Sequence, residues 1–307
     1  MRSNTRGLIA AITAFGFWGF TPLYWSRLAH VPALELILHR IWWSFPLLWI
    51  IVPIQLRRSR EKSDRPDNYG DTENTHRAFP RRLVMISTTV AGVLVTANWL
   101  TYVWAITHGR TLEASLGYYI NPLVSVALGT VVLREKLDRL QAIAVGAAAA
   151  GVLYLTVRLG SLPWVSLILA VSFGVYGLIK KRVPVGATHS LALELIPLAP
   201  PALVAIVVGV IRGSSALFSV NWLTSALLIG AGAVTVVPLL LFGYAARHIR
   251  LSDVGFIQYI APTSMLLLGI FAFGEVLDLE KLPGFVLVWV ALVLYSISSI
   301  IRSRIKS

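Results

Sequence analysis

The sequence contains no cysteine, which excludes disulfide bonds, iron–sulfur clusters, thiolate metal sites and cysteine nucleophiles. Charged residues are also scarce, at 13% of 307, whereas a soluble domain has about 25%. The chain has no glycine-rich phosphate loop, no histidine–glutamate zinc pattern and no G-x-S-x-G sequence. We therefore predict no catalytic residue, no metal and no cofactor, and the chain is not expected to be an enzyme.

Apolar residues, in contrast, make up 56% of the chain, and the mean hydropathy is +0.74. Runs of about 18 or more mostly apolar residues are long enough to cross a bilayer as helices. Such runs cover residues 6–26, 33–56, 82–107, 112–133, 139–157, 161–180, 189–211, 222–246, 252–273 and 281–301. The sequence therefore predicts an all-α polytopic membrane protein with ten transmembrane helices.

The basic residues lie in short clusters between these apolar runs. In a soluble protein a net charge of +13 would suggest a nucleic-acid partner, but this distribution argues against one. Alternating the ten spans puts 21 of the 27 lysines and arginines on one side of the bilayer and five on the other, with Arg40 inside a span. By the positive-inside rule both termini are cytoplasmic, in the plasma membrane, and residues 57–82 form a charged cytoplasmic loop.

Two stretches of the chain repeat each other at an offset of 140 residues, in polar residues as well as in apolar ones. The matched pairs are Tyr119 and Tyr259, Pro122 and Pro262, Gly129 and Gly269, Glu135 and Glu275. A second match relates residues 33–37 to 192–196. These matches predict two five-helix halves, 1–157 and 158–307, which are inverted because five is odd. Inverted repeats are typical of alternating-access carriers.

The matched prolines predict two helix kinks. Pro122 and Pro262 lack the N–H that would pair with the carbonyl four residues earlier, and in a bilayer that carbonyl needs another partner. Tyr118 and Asn121 lie beside the first kink and Gln258 beside the second. We expect the kinks to border a central cavity, with two ordinary packed helices as the alternative.

Further polar and aromatic residues lie within predicted spans. Arg40 could bind an anionic group of a solute, and Glu35 and His39 share a helix face on which they could exchange a coupling proton. A structural ion pair or an arginine reaching for the membrane surface is the alternative. Asn98 either binds substrate or joins two helices, and Trp18 either lines a pathway or packs.

The chain resembles the RarD proteins of the EamA branch of the drug/metabolite transporter superfamily. The likeness covers nearly the whole chain. Its most specific pieces are residues 35–40, Asn98-Trp99, residues 112–118, Ile120-Asn121-Pro122 and residues 255–260. The resemblance implies ten spans in two inverted halves and a plasma-membrane carrier of small organic solutes, often an exporter.

The leading hypothesis is a secondary transporter, not driven by ATP, that exports a small organic solute or drug-like metabolite by alternating access. The alternatives are an intramembrane enzyme acting on lipids and a non-transporting membrane receptor or assembly factor. The expected partners are the bilayer and a small-molecule substrate, and the oligomeric state is left open. The predicted substrate-binding residues are Trp18, His39, Arg40, Asn98, Trp99, Tyr118, Asn121 and Gln258.

Overall fold

A computed structural model describes residues 2–63, 80–160, 163–274 and 279–305. Within these ranges the chain forms α-helices and one short 3-10 helix, Ser26–Leu28, and no strand. The α-helices are α1 Arg2–Trp25, α2 Ala33–Ser63, α3 Arg81–Thr107, α4 Thr111–Val131, α5 Arg139–Leu159, α6 Trp164–Arg182, α7 Ala187–Leu195, α8 Ala199–Ile211, α9 Trp222–His248, α10 Leu251–Gln258, α11 Ile260–Phe273 and α12 Leu282–Ile305.

Most of these helices are long and apolar enough to cross a membrane. In the described part of the chain 8 candidate spans meet both criteria, or 9 if a bent pair is taken as one. The all-α membrane class is thereby confirmed. The remaining predicted span coincides with α4, which is not among the candidates and is made less apolar by Glu113, Tyr118 and Asn121. The count of ten therefore stays a prediction.

Large apolar side chains cover much of the outer surface of these helices. Phe271 is 82% exposed and Val131 is 77% exposed, which would be costly in water. In a membrane protein such faces meet lipid.

The predicted span 189–211 is a bent pair of helices and not one continuous helix. α7 and α8 meet at an angle of 51°, with the break at residues 196–198. Pro197, Pro200 and Pro201 explain the break, since each lacks an N–H and its ring crowds the preceding turn.

Two other helices also differ from a simple span. α10 ends at Gln258 and α11 begins at Ile260, so the helix is interrupted just before Pro262, whereas α4 runs without a break through Pro122. The backbone of α2 continues to Ser63, inside the predicted loop 57–82, because arginine, lysine and glutamate favour helix there. The rest of that loop, residues 64–79, lies outside the described residues.

The described chain divides into two compact units. The first comprises Met1–Ser26, Leu94–Lys181 and Leu241–Ser307, and the second comprises Arg27–Val93 and Arg182–Leu240. Each unit takes segments from both predicted halves, so the boundary between 157 and 158 is a division along the chain and stays a prediction.

The first unit is built on three pairs of helices, α5 with α12, α4 with α10, and α1 with α11. α5 and α12 approach closely because Gly151 has no side chain, and a Cβ there would lie 2.7 Å from the carbonyl oxygen of Gly284. Tyr119 and Phe285 pack in the same core, with ring centroids 5.3 Å apart.

The second unit is built on α2, which packs against α7 and α8. Gly232 of α9 lies against the backbone of Trp43 and leaves no room for a Cβ. Ser44 donates a hydrogen bond to the carbonyl of the same Gly232, at 3.2 Å. α2 is thereby held against the part of α9 that belongs to this unit.

Candidate functional site

The first unit brings Gln258 of α10 against α4, directly beside Pro122. Ser125 Oγ donates a hydrogen bond to Gln258 Oε1 at 3.0 Å. A Cβ on Gly255 would lie 2.8 Å from the carbonyl oxygen of Pro122, so the glycine allows the two backbones to touch. Glycine at this position therefore sets the distance across which the polar pair forms.

Asn121 lies one turn before Ser125, and both residues share a face of α4. Asn121 is only 6% exposed. Among the described residues, its Oδ1 atom has no hydrogen-bond partner. A buried acceptor without a donor costs about 1–3 kcal/mol, so this oxygen is a plain candidate for binding a solute donor.

Aromatic side chains occupy the same unit. The Tyr118 ring packs edge-on against Tyr102 at 5.7 Å, and both side chains are half-buried. Trp18 is half-buried as well and lies 5.8 Å from Phe173 and 5.9 Å from Phe242, between ring centroids. Such rings offer apolar faces to an organic solute.

Asn98 has a different environment. Its Nδ2 group donates to the carbonyl of Leu169 at 2.8 Å and to Ser172 Oγ at 2.9 Å, so the amide joins α3 to α6. This contact corresponds to the helix-joining alternative for Asn98. The adjacent predicted residue, Trp99, is half-buried on α3.

The second unit contains the other two predicted residues. Arg40 Nε donates to Thr235 Oγ1 at 3.1 Å, so this cation is held against α9 inside the unit. His39 is fully buried, its Nδ1 accepts from Trp43 Nε1 at 3.0 Å, and its Nε2 lies 3.7 Å from Glu35 Oε1. Because Nδ1 is an acceptor, the neutral ring carries its proton on Nε2, facing Glu35.

Glu35 is itself tied to the connection that follows α8. Its Oε1 accepts from Ser215 Oγ at 2.6 Å and from the backbone N–H of Ala216 at 2.7 Å. Both bonds join α2 to that connection. In the described part of the chain, no group of three or more histidine, aspartate or glutamate side chains is arranged to hold a metal ion.

The structure thus brings Asn121 and Gln258 to one place, with Tyr118 on the same helix and Trp18 in the same unit. His39 and Arg40 form a separate polar group in the second unit. The sequence-based selection missed Ser125 and Thr235, which bind two of the selected residues. Ser125 could have been found from its position four residues after Asn121, but Thr235 lies 195 residues from Arg40 and gave no local signal.

Comparison with known proteins identifies the family. Residues 5–157 match the EamA-like transporter family. The chain is 42% identical over 298 residues to an uncharacterized transporter of Pseudomonas aeruginosa, covering 95% of this chain and 93% of that protein. It is 37% identical over 303 residues to Protein RarD of Escherichia coli, covering 99% and 98%.

A solved crystal structure shares the fold, with a TM-score of 0.65 at 16% identity, covering 95% of this chain and 97% of the other. At that identity the likeness concerns the fold alone. The identities to the named relatives extend over nearly the full length of both chains. This protein belongs to the EamA-like transporter family and is of the RarD type.

Proposed function

We propose that this protein is a secondary transporter that exports a small organic solute across the plasma membrane by alternating access, with both termini in the cytoplasm. Membership of a transporter family and relatives named as transporters support transport over the two alternatives, a lipid-acting enzyme and a receptor or assembly factor. The asymmetry of the basic residues supports the orientation.

The unpaired Oδ1 of Asn121 is the observation that carries this proposal. A carrier has to bind its solute in the membrane and release it again, and a buried acceptor beside a proline fits that need. The neighbouring Gln258 and the ring of Tyr118 define the rest of the site in the first unit. The solute that fits has an N–H or O–H donor and an apolar or aromatic body.

Packing between matched residues supports the inverted halves. Tyr119 and Tyr259, which correspond at the 140-residue offset, lie against each other with ring centroids 6.4 Å apart. The hydroxyl of Tyr259 donates to the carbonyl of Tyr119 at 3.2 Å. Two inverted repeats related by an axis through α4 and α10 would bring matched residues together in this way.

Cysteine labelling tests alternating access without any solute, because the natural chain has no cysteine. We expect Asn121→Cys to react with a membrane-impermeant maleimide added to either face of oriented vesicles. Phe271→Cys is the control: its side chain is 82% exposed on the apolar surface and should stay unreactive in lipid. Reaction from one face only would contradict alternating access at this residue.

A binding and flux experiment tests the site itself. The purified protein is screened against a library of metabolites by thermal shift, and flux of any stabilising solute is measured in proteoliposomes. Asn121→Ala should weaken binding of that solute by about tenfold or more, as expected for one lost buried hydrogen bond. Thr130→Val is the control on the same helix, because the Thr130 hydroxyl bonds its own helix. Equal losses in both variants would contradict the assignment.

A coupling proton on Glu35 is a second proposal, and the geometry of the second unit favours Glu35 over His39 as its carrier. Protonating His39 would break its bond from Trp43, whereas Glu35 can take a proton on its other oxygen. Glu35→Gln should then make flux insensitive to a pH gradient. Unchanged sensitivity in that variant, or flux of the natural protein that ignores the gradient, would exclude the coupling.

A further inference from the structure

A cluster of charged side chains lies at one end of the first unit, away from the proposed solute site. We define the Glu135 cluster as Glu135, Lys181, Arg250 and Ser252. Glu135 follows α4, and its side chain is 9% exposed. Its Oε1 accepts from the backbone N–H of Leu251 at 2.7 Å, and its Oε2 accepts from the N–H and the hydroxyl of Ser252 at 2.9 and 2.8 Å.

This carboxylate therefore caps α10 from a different part of the chain. The residue in the N-cap position of α10, Arg250, provides no side-chain cap of its own. An anion at a helix N-terminus is stabilised by the unpaired N–H groups and by the helix dipole. The α4–α5 connection is thereby joined to the start of α10.

The backbone around Glu135 is shaped to place this carboxylate. Arg134 has a positive φ of 56°, a conformation that costs a non-glycine residue energy. A Cβ on Gly129 would lie 2.7 Å from Glu135 Oε2, so only glycine leaves room for the carboxylate. Glu135 N donates to the carbonyl of that same Gly129 at 3.0 Å, which fixes the turn.

Two cations connect the carboxylate to further helices. Lys181, near the end of α6, lies 3.8 Å from Glu135 Oε1 and donates to the carbonyls of Ala246 and Ile249, which lie at the end of α9 and just after it. Arg250 lies 3.9 Å from Glu135 Oε2 and donates to the carbonyl of Lys136 at 2.9 Å. The cluster thus links the α4–α5 connection with α10 and α6 through Glu135, and with the end of α9 through Lys181.

We propose that the Glu135 cluster is a reversible lock, which closes this end of the first unit and must open to admit solute there. The inference rests on the proposed carrier function. Buried charges contribute little net stability, but they can specify one conformation and can be broken as a unit. A carrier needs such contacts at an end that opens and closes, and here they join the start of α10 to α6 and to the end of α9.

The test measures opening directly. A single cysteine replaces Val126, which is 2% exposed and lies on α4 between the solute site and the cluster. In Val126→Cys the lock should keep a membrane-impermeant maleimide out. Adding Glu135→Gln removes the charge but keeps the shape of the side chain. With the maleimide added on the side of the membrane where the Glu135 cluster lies, the cysteine should be labelled about tenfold faster or more.

A second variant disrupts the contacts of the Glu135 carboxylate without changing any charge. Gly129→Ala should displace the carboxylate and raise labelling in the same way, since its Cβ would collide with Oε2. Each variant has a matched control. Glu280→Gln neutralises a 73% exposed carboxylate in a surface ion pair, and a Cβ on Gly146 meets nothing within 4 Å in Gly146→Ala. Neither control should change the rate.

Three outcomes decide the matter. Faster labelling in Glu135→Gln and Gly129→Ala, with both controls unchanged, supports the lock. Unchanged labelling in two folded variants would overturn it, and so would loss of monodisperse protein in both, which would make the cluster a permanent part of the fold. If the natural protein moves no solute but the two variants still label faster, the carrier function fails and the opening motion remains.

Discussion

The N-termini of α4 and α10 correspond at the 140-residue offset, and a stacked pair of an aromatic residue and a histidine precedes each. The backbone differs at the N-cap residue itself, where ψ is 35° for Arg110 and 145° for Arg250. His108 stacks on Trp104 with centroids 4.6 Å apart, and its Nδ1 lies 2.8 Å from the Trp104 carbonyl oxygen. His248 stacks on Tyr244 at 3.9 Å, and its Nδ1 lies 2.7 Å from the Tyr244 carbonyl oxygen. An aromatic residue and a histidine four positions apart are enough to form this pair, so local sequence explains the likeness.

Two residues further the side-chain partners diverge as well. Arg110 pairs with Glu113 of its own helix at 3.0 Å, lies 5.3 Å from the Trp164 ring and remains 41% exposed. Its counterpart Arg250 is 20% exposed and lies beside Glu135, the trans cap of α10. The same sequence element therefore gives a surface contact in one place and a buried one in the other, because the neighbouring helices differ.

The middle of the two helices differs as well. α4 is continuous across Pro122 and carries the unpaired Asn121, whereas α10 and α11 are separated at Tyr259 and the position matching Asn121 is Ala261. Gln258, which corresponds to Tyr118, turns its amide to Ser125. A polar side chain on one helix thus matches an apolar or aromatic one on the other, so the two helices do not contribute equivalent groups to the candidate site.

The largest expected effect separates the carboxylates at the two ends. Glu135→Ala removes the acceptor of two helix N–H groups and the anion beside two mostly buried cations, and should lower the free energy of unfolding by about 3 kcal/mol. Glu113→Ala removes one bond to a half-exposed arginine, and one oxygen of Glu113 has no partner among the described residues, so the loss should be about 1 kcal/mol. Denaturation in detergent measures both values, and equal losses would contradict the contrast between the two ends.

Local signals predicted much of this arrangement. The helix expected at 112–133 is α4 at Thr111–Val131, because helix formation by a mostly apolar run depends on adjacent residues. The trans cap by Glu135 and the partners of Asn98 on α6 were not predicted, since they depend on which helices become neighbours. The bend between α7 and α8 was missed although its prolines are visible, because the apolar run continues through them.

An intermediate effect concerns how stability depends on pH through Asp138, the N-cap residue of α5, which interacts with Arg250 of the Glu135 cluster. Asp138 caps α5 through Gln141 N at 2.8 Å and accepts from Ser298 Oγ at 2.6 Å. Burial acts to raise the pKa of Asp138, but the hydrogen bond from Ser298, those from the N–H groups of Gln141 and Leu140, and the charge of Arg250 together lower it below the ordinary value.

The sign of the effect follows from that direction. A carboxyl group with a lowered pKa stabilises the fold when it is ionised, and this stabilisation is lost as the pH falls from the ordinary aspartate pKa through the lowered one. Asp138→Asn should therefore cost about 1 kcal/mol at neutral pH and flatten the loss of stability in acid. Unfolding measured from neutral to acidic pH tests this, and an equally steep acid loss in the variant would assign it to another group.

The smallest effect tests the feature that the two ends share. His108→Ala and His248→Ala should each lower the free energy of unfolding by about 0.5 kcal/mol, because both rings are exposed and each stacks on one aromatic neighbour. Equal values are expected, since the geometry of the pair is the same at both ends. A loss several times larger in His248→Ala would mean that its ring supports the Glu135 cluster. The two ends would then differ already at the histidines, and not only at Arg110 and Arg250.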